Sequence, residues 1–170
     1  MTKESITVLV DTREQYPLLF PAHITIEKRV RDKRQQLRIP VKVKKQKLDY
    51  GDYALEGYEH CCIFERKSGT WELTTNLYND KDMIRACKAF KRLADNCVFP
   101  YLILESTPSQ LLKGKIQNNS KAPESLMYRL ASVIAKYRLS AMWVPKPSSS
   151  TAKRDIGTAV LHIMLAHSKN

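Results

Sequence analysis

The chain has 170 residues, of which 43% are hydrophobic and 27% are charged, and this is the composition of an ordinary globular protein. Its length suits one domain with a substantial core. Its formal net charge of +12 favours a polyanionic partner such as nucleic acid. No stretch is apolar enough to span a membrane and no secretory signal is present, so we expect an intracellular protein without a membrane partner. The cysteines (Cys61, Cys62, Cys87 and Cys97) lack metal-binding spacing, so we expect reduced core residues.

The first predicted element is a buried strand over Ile6 to Val10, where five apolar or β-branched residues follow one another. Asp11 stands where this strand ends, and Arg13 and Glu14 follow at once. Carboxylates at strand ends of an α/β sheet are where ligand sites tend to lie. Asp11 is therefore a candidate site residue.

A strongly basic segment follows, from Lys28 to Lys47, with ten lysines and arginines against one acid, Asp32. Apolar residues alternate with polar ones in its second half, which predicts a strand or hairpin with one wet, basic face. Such a face suits contact with a phosphate backbone without base readout. The candidate contacts are Arg38, Lys42, Lys44 and Lys45. The alternative is a basic face that is simply solvated.

Two further strands are predicted around a turn at Glu56 to Glu59: one over Leu48 to Leu55, and one over Cys61 to Phe64 that ends in three charged residues. Those three residues are Glu65, Arg66 and Lys67. Asp52 and Glu65 offer the oxygen ligands that Mg²⁺ or Mn²⁺ prefers. Lys67 lies two residues beyond Glu65, so both side chains share one strand face, where the lysine would orient water and offset charge on a phosphate. The alternative is an exposed ion pair at a strand end.

The second half of the chain alternates helices and strands. Asn79 and Asp80 are predicted to cap a helix through Ala94, whose inner face holds Met83, Ile84, Cys87, Phe90 and Leu93. The remaining predicted elements are a strand at 98–105 ending in Glu105, a polar loop at 106–122 with at most a short helix at 110–112, a helix at 123–138, a strand at 141–145 and a helix at 151–167. Trp71 is expected to pack against the core. The order β–β–β–β–α–β–α–β–α predicts an α/β fold with a mixed central sheet flanked by helices.

Three ordered motifs resemble the nuclease domain of XPF-type structure-specific endonucleases, which belong to the restriction-endonuclease-like, or PD-(D/E)xK, group. They are Val10 to Glu14 (Val-Asp-Thr-Arg-Glu), Gly51 to Tyr53 (Gly-Asp-Tyr) and Glu65 to Ser68 (Glu-Arg-Lys-Ser). The last Asp of the family's third motif falls on Trp71, with Glu72 next along. The family's Arg and Gln on the following helix fall on Lys81 and Arg85, which are added to the nucleic-acid contacts.

The resemblance implies a metal-dependent endonuclease acting on branched, flap, fork or junction DNA. Asp11, Asp52 and Glu65 would bind Mg²⁺ or Mn²⁺, with Glu14 helping through water. The implied catalytic residues are these four together with Arg13, Arg66 and Lys67. The expected organisation is a single nuclease domain over 1–170, with a basic insertion at about 28–47 and without the helix-hairpin-helix domain common in the family.

The oligomeric state and two alternative functions stay open at this point. Family members commonly dimerise through this domain, so a homodimer or a heterodimeric partner is expected. A non-catalytic DNA-binding scaffold subunit is the main rival to the enzyme, and the altered motif position at Trp71 is its best argument. The other alternative is an RNA-directed nuclease, because a basic face that contacts only the phosphate backbone can bind either DNA or RNA.

Overall fold

The structure, a computed structural model, describes residues 5–30, 33–113 and 123–168, without the side chain of Val30. Seven strands and five helices occur in this part of the chain. The strands are β1 (Ile6–Val10), β2 (His23–Val30), β3 (Lys33–Lys45), β4 (Tyr53–Leu55), β5 (Cys62–Lys67), β6 (Phe99–Glu105) and β7 (Ser140–Val144). The helices are α1 (Thr70–Tyr78), α2 (Asp80–Asn96), α3 (Pro108–Lys113), α4 (Pro123–Tyr137) and α5 (Ser150–His167). None of these helices is both long and apolar enough to cross a bilayer.

The strands form one mixed sheet in the order β2-β3-β1-β4-β5-β6-β7. β1 pairs in parallel with β3, β5 with β6 and β6 with β7, whereas β4 is antiparallel to both of its neighbours. The carboxyl ends of β1, β5 and β6 therefore meet at the same edge of the sheet, next to the start of β4. Asp11, Asp52, Lys67 and Glu105 all lie at that edge because of this topology.

A hydrophobic core lies on each face of the sheet. On one face, Leu9 and Ile63 pack with apolar residues of α1, α2, α3 and α4. On the other face, Val8, Val10 and Phe64 pack with α5. The alternation of side chains along β1 and β5 thus supplies both cores, and the predicted α/β architecture of a mixed sheet flanked by helices is confirmed.

The basic segment forms an antiparallel hairpin of β2 and β3, with β2 at the edge of the sheet. The alternation predicted from the sequence is present over Leu37, Ile39 and Val41, which are half-buried, but it ends there, since Val43 is 54% exposed. Arg31 and Asp32 lie outside the described residues. The hairpin continues the sheet through parallel pairing of β3 with β1.

Several predicted elements differ from the structure. The predicted strand over 48–55 is limited to β4, because Gly51 adopts a φ of 71° that no strand tolerates. β5 runs through Lys67 instead of stopping at Phe64, so its three charged residues lie within the strand. The segment before α2, for which the predicted element order contained no helix, forms α1. α3 covers 108–113, slightly more than the short helix expected at 110–112, and the rest of the polar loop to 122 lies outside the described residues.

Two side-chain predictions were wrong. Trp71 does not pack against the core: it lies on the outer side of the first turn of α1 and is 69% exposed. Ile84 is 57% exposed, because the inner stripe of α2 consists of Ala86, Phe90 and Leu93. The predicted N-cap of α2 is confirmed, since the Asn79 side chain accepts hydrogen bonds from the next turn.

Candidate active site

Backbone hydrogen bonds align the three sequence motifs at one edge of the sheet. The Asp11 N–H donates to the Asp52 carbonyl oxygen at 2.9 Å, and the Asp52 N–H donates to the Phe64 carbonyl oxygen at 2.7 Å. The Asp52 carboxylate accepts a hydrogen bond from the Arg66 N–H at 2.7 Å. The β5 main chain therefore fixes the backbone of Asp52 on one side of Glu65 and its side chain on the other.

Gly51 makes this alignment possible. Its φ of 71° is left-handed, and a Cβ at this position would lie 2.2 Å from the Ile63 Cγ2 atom and 3.1 Å from the Phe64 carbonyl oxygen. Only glycine allows the chain to turn here while remaining against β5. The position of Asp52 thus depends on the residue before it.

Gly51→Ala is expected to lower the free energy of unfolding by about 1–2 kcal/mol for the left-handed backbone and by about 1–3 kcal/mol more for the clash with Ile63. Urea denaturation measures the change. Gly57→Ala is the matched control, because Gly57 has a φ of 81° but no neighbouring atom within 4 Å of a Cβ, so it incurs only the backbone cost. Equal losses in the two variants would contradict the role of close packing at Gly51.

Asp11 is fully buried and held by Arg13. The Arg13 Nε donates to the Asp11 Oδ2 at 2.6 Å, its guanidinium makes an ion pair with the same carboxylate, and its Nη2 donates to the Leu48 carbonyl oxygen at 2.7 Å. Burial raises the pKa of Asp11, but the hydrogen bonds and charge of Arg13 outweigh it, so the pKa lies below its ordinary value. Asp11 is therefore an ionised carboxylate that is already paired with the Arg13 guanidinium.

Glu65 and Lys67 share one face of β5, as their spacing predicted, and the Lys67 Nζ lies 2.7 Å from the Glu65 Oε1. The Lys67 Nζ also lies 3.4 Å from the Glu72 Oε1. Burial lowers the pKa of Lys67, but the nearby charges of Glu65 and Glu72 outweigh it and leave the pKa above its ordinary value. Lys67 is an ammonium group and a hydrogen-bond donor at neutral pH.

Glu72 is a site residue that the sequence analysis did not identify. Its Oε2 accepts hydrogen bonds from the Ser68 N–H at 2.7 Å and from the Ser68 Oγ at 3.1 Å. A carboxylate in the first turn of α1 thus stands beside Lys67, although the preceding motif position is occupied by Trp71. The sequence did contain a signal for a helix that begins here, namely an acidic residue shortly after the Ser68-Gly69 turn, because acidic residues are favoured in the first turn of a helix.

Arg66 points to the other face of β5 and is committed to three partners. Its Nε and Nη2 donate to the two oxygens of Glu105 at 2.8 and 3.0 Å, and its Nη1 donates to the Glu14 Oε1 and to the Tyr16 carbonyl oxygen, both at 2.9 Å. The Arg66 side chain is 6% exposed and that of Glu105 is 1% exposed. Arg66 therefore braces β5 against β6 and the segment after β1, and its hydrogen bonds hold its guanidinium to these partners.

Two adjoining pockets meet at the carboxylates. Arg13, Asp52 and Glu65 line both of them. The first pocket is completed by Glu14, Gln15, Tyr16, Arg66, Lys67, Ser68 and Glu72. The second is completed by Asp11, Asp49, Tyr50, Gly51, Ala89 and Arg92. The three predicted metal ligands thus border one cleft, and Arg92 of α2 places a cation at its edge.

The donor chemistry of Asp52 and Glu65 fits a hard divalent cation. Burial and repulsion by the charge of Glu65 raise the pKa of Asp52 to about 8, so Asp52 is largely protonated at neutral pH unless a cation compensates the two charges. Among the described residues, no three His, Cys, Asp or Glu side chains are grouped as a formed metal site. Asp11 would join the pair as a further ligand, although Arg13 now occupies its Oδ2 atom.

The raised pKa of Asp52 predicts a pH-dependent stability of the metal-free protein. The folded state binds this proton more tightly than the unfolded state, whose carboxyl has a pKa of 3.8. The contribution is therefore complete below about pH 4 and is lost as pH rises toward 8. Asp52→Asn, which stays uncharged, is expected to have a higher Tm than the wild-type protein at pH 8 in EDTA, by about 2–4 °C per kcal/mol recovered, and no such advantage at pH 4. Differential scanning calorimetry at both pH values measures this, and a gain of equal size at both would contradict it.

The other predicted nucleic-acid contacts lie on two surfaces. Arg38, Lys42, Lys44 and Lys45 are exposed on β3, and Lys44 donates to Glu56 at 3.0 Å. Lys81 and Arg85 are exposed on the first turns of α2, and Arg85 pairs with Asp82 at 3.5 Å. Neither of the two α2 residues lines the cleft; Ala89 and Arg92, further along the same helix, do. Helical spacing places 81, 85 and 92 along one side of α2, so the two predicted contacts lie on the same side of the helix as the residue that borders the cleft.

The model of the ERCC4 domain matches residues 10–152, which contain all three motifs and most of the sheet. The chain belongs to the ERCC4 domain family. The expected resemblance to XPF-type nuclease domains is therefore confirmed.

Solved structures agree with this ERCC4 domain in fold. XPF from Aeropyrum pernix matches with a TM-score of 0.58 and 20% sequence identity, over 94% of this chain and 65% of that one. XPF from Aeropyrum pernix in complex with DNA matches with a TM-score of 0.60 and 19% identity, over 96% of this chain and 66% of that one. The chain thus spans slightly less than two thirds of these proteins and shares their restriction-endonuclease-like fold. No curated protein matches the chain by sequence.

Proposed function

We propose that this ERCC4 domain is a Mg²⁺- or Mn²⁺-dependent endonuclease that hydrolyses phosphodiester bonds in branched, flap, fork or junction DNA. The observation that carries the proposal is the shared cleft of Asp52, Glu65 and Lys67, in which the Lys67 Nζ lies 2.7 Å from the Glu65 Oε1. Two carboxylates and a buried ammonium group at one strand end are suited to phosphate hydrolysis with a divalent cation. Membership of the ERCC4 family and the DNA complex of a similar fold support DNA as the substrate.

Asp52 and Glu65 would hold the metal ion, with Asp11 as a further ligand once Arg13 turns toward the substrate. Bound Mg²⁺ or Mn²⁺ would supply Lewis acidity, which acidifies water and neutralises charge on the phosphate. The Arg13 side chain is 58% exposed, so it has room to exchange the Asp11 carboxylate for a phosphate oxygen. Binding of DNA would then free the Asp11 carboxylate to bind the metal ion.

Lys67 acts as a donor and not as a base, because its pKa lies above the ordinary value and it is charged at working pH. Its ammonium group would hold the attacking water or a phosphate oxygen and offset the negative charge that grows during attack. Glu72 keeps Lys67 in place through its contact at 3.4 Å. Arg66 and Glu14 act through position, since their contact joins β5 to the segment that follows β1.

The exposed face of β3 would contact the DNA backbone. Arg38→Gln with Lys42→Gln removes two exposed cations from that face, and each lost phosphate contact lowers the slope of log K against log salt by about 0.9. We expect weaker DNA binding and a slope that is shallower by about 1–2, measured by fluorescence anisotropy in EDTA. Lys146→Gln with Arg154→Gln is the matched control, because both cations are exposed and neither lies on β3: Lys146 follows β7 and Arg154 lies on α5. An unchanged salt slope in the β3 variant would show that β3 does not contact the DNA backbone.

Cleavage of labelled flap, fork, Holliday-junction and plain duplex DNA, each with Mg²⁺, Mn²⁺ or EDTA, tests the activity. The proposal expects metal-dependent cutting with a preference for at least one branched substrate. A matching RNA flap in the same series tests the RNA-directed alternative. Equal rates on branched and plain duplex DNA would contradict the structure-specific part, and the absence of cutting with either metal would contradict the enzyme.

One observation favours a second candidate, a non-catalytic DNA-binding scaffold subunit. Asp11 is already paired with Arg13, and the described residues contain no preformed group of three acidic or histidine ligands. A scaffold would bind branched DNA and leave cutting to a partner subunit. Binding of branched DNA without cutting by any metal, followed by activity of a mixture with an added partner, is the result that this candidate expects.

A further inference from the structure

Two large aromatic side chains stand exposed beside the cleft and have no role in the proposed hydrolysis. Tyr16 is 71% exposed and lines the first pocket together with Ser68 and Glu72. Trp71, the residue directly before Glu72, is 69% exposed. Single exposed apolar residues are ordinary, but Tyr16 lines the pocket and Trp71 directly precedes a residue that lines it, so two flat aromatic faces are available near the proposed cleavage site.

The backbone of Tyr16 is tied to the site while its ring remains free. The Tyr16 carbonyl oxygen accepts a hydrogen bond from the Arg66 Nη1 at 2.9 Å, and its N–H donates to the Glu14 Oε1 at 3.2 Å. Arg66 itself is locked by Glu105. Although it lies in an irregular segment, Tyr16 is therefore held in a fixed place relative to the carboxylates.

Trp71 is fixed in a similar way. Gly69, with a φ of 104°, turns the chain from β5 into α1, so that the first turn of the helix borders the cleft. Glu72 secures this turn, because its carboxylate accepts from the Ser68 N–H at 2.7 Å and lies 3.4 Å from the Lys67 Nζ. The indole ring thus projects from a turn that is bound directly to the proposed catalytic lysine.

Cations line the whole cleft, whereas the exposed rings stand at one end of it. Arg13 lines both pockets and Arg92 lines the second, but Tyr16 lines only the first. A nucleic-acid strand that crosses the carboxylates would have cations for its phosphates along the cleft and aromatic faces at the end of the first pocket. Bases in an intact duplex are covered by their neighbours, so only unpaired bases have a face available for stacking.

We propose that Tyr16 and Trp71 form a stacking platform for unpaired DNA bases next to the scissile phosphate. The inference rests on the proposed nuclease function and deepens it: the substrate presents a single-stranded segment at the site, as a flap or fork does, and the platform selects the junction between single and double strand. Stacking on aromatic side chains tolerates any base, so the platform recognises strandedness and not sequence.

Tryptophan fluorescence tests the platform without any cutting. The chain has two tryptophans, so Trp71 is the only emitter in a Trp143→Phe background. Oligothymidine and a blunt duplex of equal length are titrated in EDTA. We expect strong quenching by oligothymidine and little by the duplex. If Trp143→Phe does not fold, the difference in quenching between the wild-type protein and Trp71→Phe gives the same readout.

Anisotropy of labelled oligothymidine then measures affinity. Trp71→Ala and Tyr16→Ala are each expected to weaken binding about tenfold, the usual loss for one stacked base, with the salt slope unchanged because no phosphate contact is removed. Trp71→Phe keeps a ring and is expected to bind within about threefold of the wild-type protein. Tyr128→Ala is the matched control, since Tyr128 is 75% exposed on α4, a helix from which no residue lines either pocket, whereas Glu72, next to Trp71, lines the first.

The outcomes separate this inference from the proposed function. Metal-dependent cutting without quenching of Trp71, or with alanine variants that bind oligothymidine as tightly as the Tyr128→Ala control, overturns the platform and leaves the nuclease standing. Quenching with selective loss of single-strand binding, but no cutting with either metal, supports the platform and overturns the nuclease. An equal loss of duplex and oligothymidine binding in the alanine variants also overturns the platform.

Discussion

Glu65→Gln is expected to abolish DNA cleavage and to leave DNA binding nearly unchanged. The substitution keeps the size of the side chain and its hydrogen-bonding oxygen toward Lys67, which lies 2.7 Å away, but removes the negative charge that a divalent cation requires. In the proposed mechanism a bound divalent cation would acidify water and neutralise charge on the phosphate, so its loss is expected to lower the single-turnover rate by about 10³-fold or more. The affinity for flap DNA in EDTA should stay within about threefold, because the exposed cations that hold the backbone are untouched.

Asp95→Asn is the control for that experiment. Asp95 lies at the end of α2 and pairs with Lys91 at the surface, so removing its charge is expected to change the rate less than about twofold. Equal losses of cutting and binding in Glu65→Gln would show that Glu65 supports the fold or the interface. Cutting at the wild-type rate would remove Glu65 from the site altogether.

Arg66→Met is expected to cause the largest loss of stability among single substitutions near the site. It leaves the Glu105 carboxylate, which is 1% exposed, without the two hydrogen bonds that it now accepts, and Glu14 also loses its partner. An uncompensated buried charge after removal of one partner costs about 3–5 kcal/mol. The free energy of unfolding, measured by urea denaturation at pH 7, should fall by about this amount.

Two further variants show whether the buried charge is the cause. Arg66→Met combined with Glu105→Leu removes both charges and should recover much of the loss, because an apolar pair can replace a buried ion pair. Arg85→Met removes an arginine whose side chain is 78% exposed and is expected to change stability by less than about 0.5 kcal/mol. A loss below about 1 kcal/mol in Arg66→Met would contradict the bracing role.

Local hydrophobic periodicity was sufficient to predict which charged residues lie at the strand ends. A run of apolar residues followed by an acid placed Asp11 correctly, and the two-residue period of a strand placed Glu65 and Lys67 on one face, where they meet. The Gly-Asp-Tyr motif placed Asp52, although the extent of its strand was wrong because the left-handed Gly51 ends the regular backbone. These features depend only on neighbours in the chain.

The features that the sequence did not reveal depend on contacts between distant segments. Arg66 meets Glu105 because β5 and β6 pair in parallel, and no local pattern specifies that register. Glu72 reaches Lys67 because Gly69 turns the chain into a helix at that point, and the same turn exposes Trp71. Trp71 was expected in the core since most tryptophans are largely buried, and that general preference says nothing of a ring placed beside a binding cleft.

Mn²⁺ binding tests most directly whether Asp52 and Glu65 share one divalent cation, as proposed. Mn²⁺ is titrated into the metal-free protein at pH 8, and the free ion is followed by its electron paramagnetic resonance signal for the wild-type protein, Asp52→Asn, Glu65→Gln and the Asp95→Asn control. We expect the wild-type protein and Asp95→Asn to deplete the free-ion signal equally, and we expect Asp52→Asn and Glu65→Gln to lose this depletion. Depletion in Asp52→Asn and Glu65→Gln equal to that of the wild-type protein would contradict this proposal.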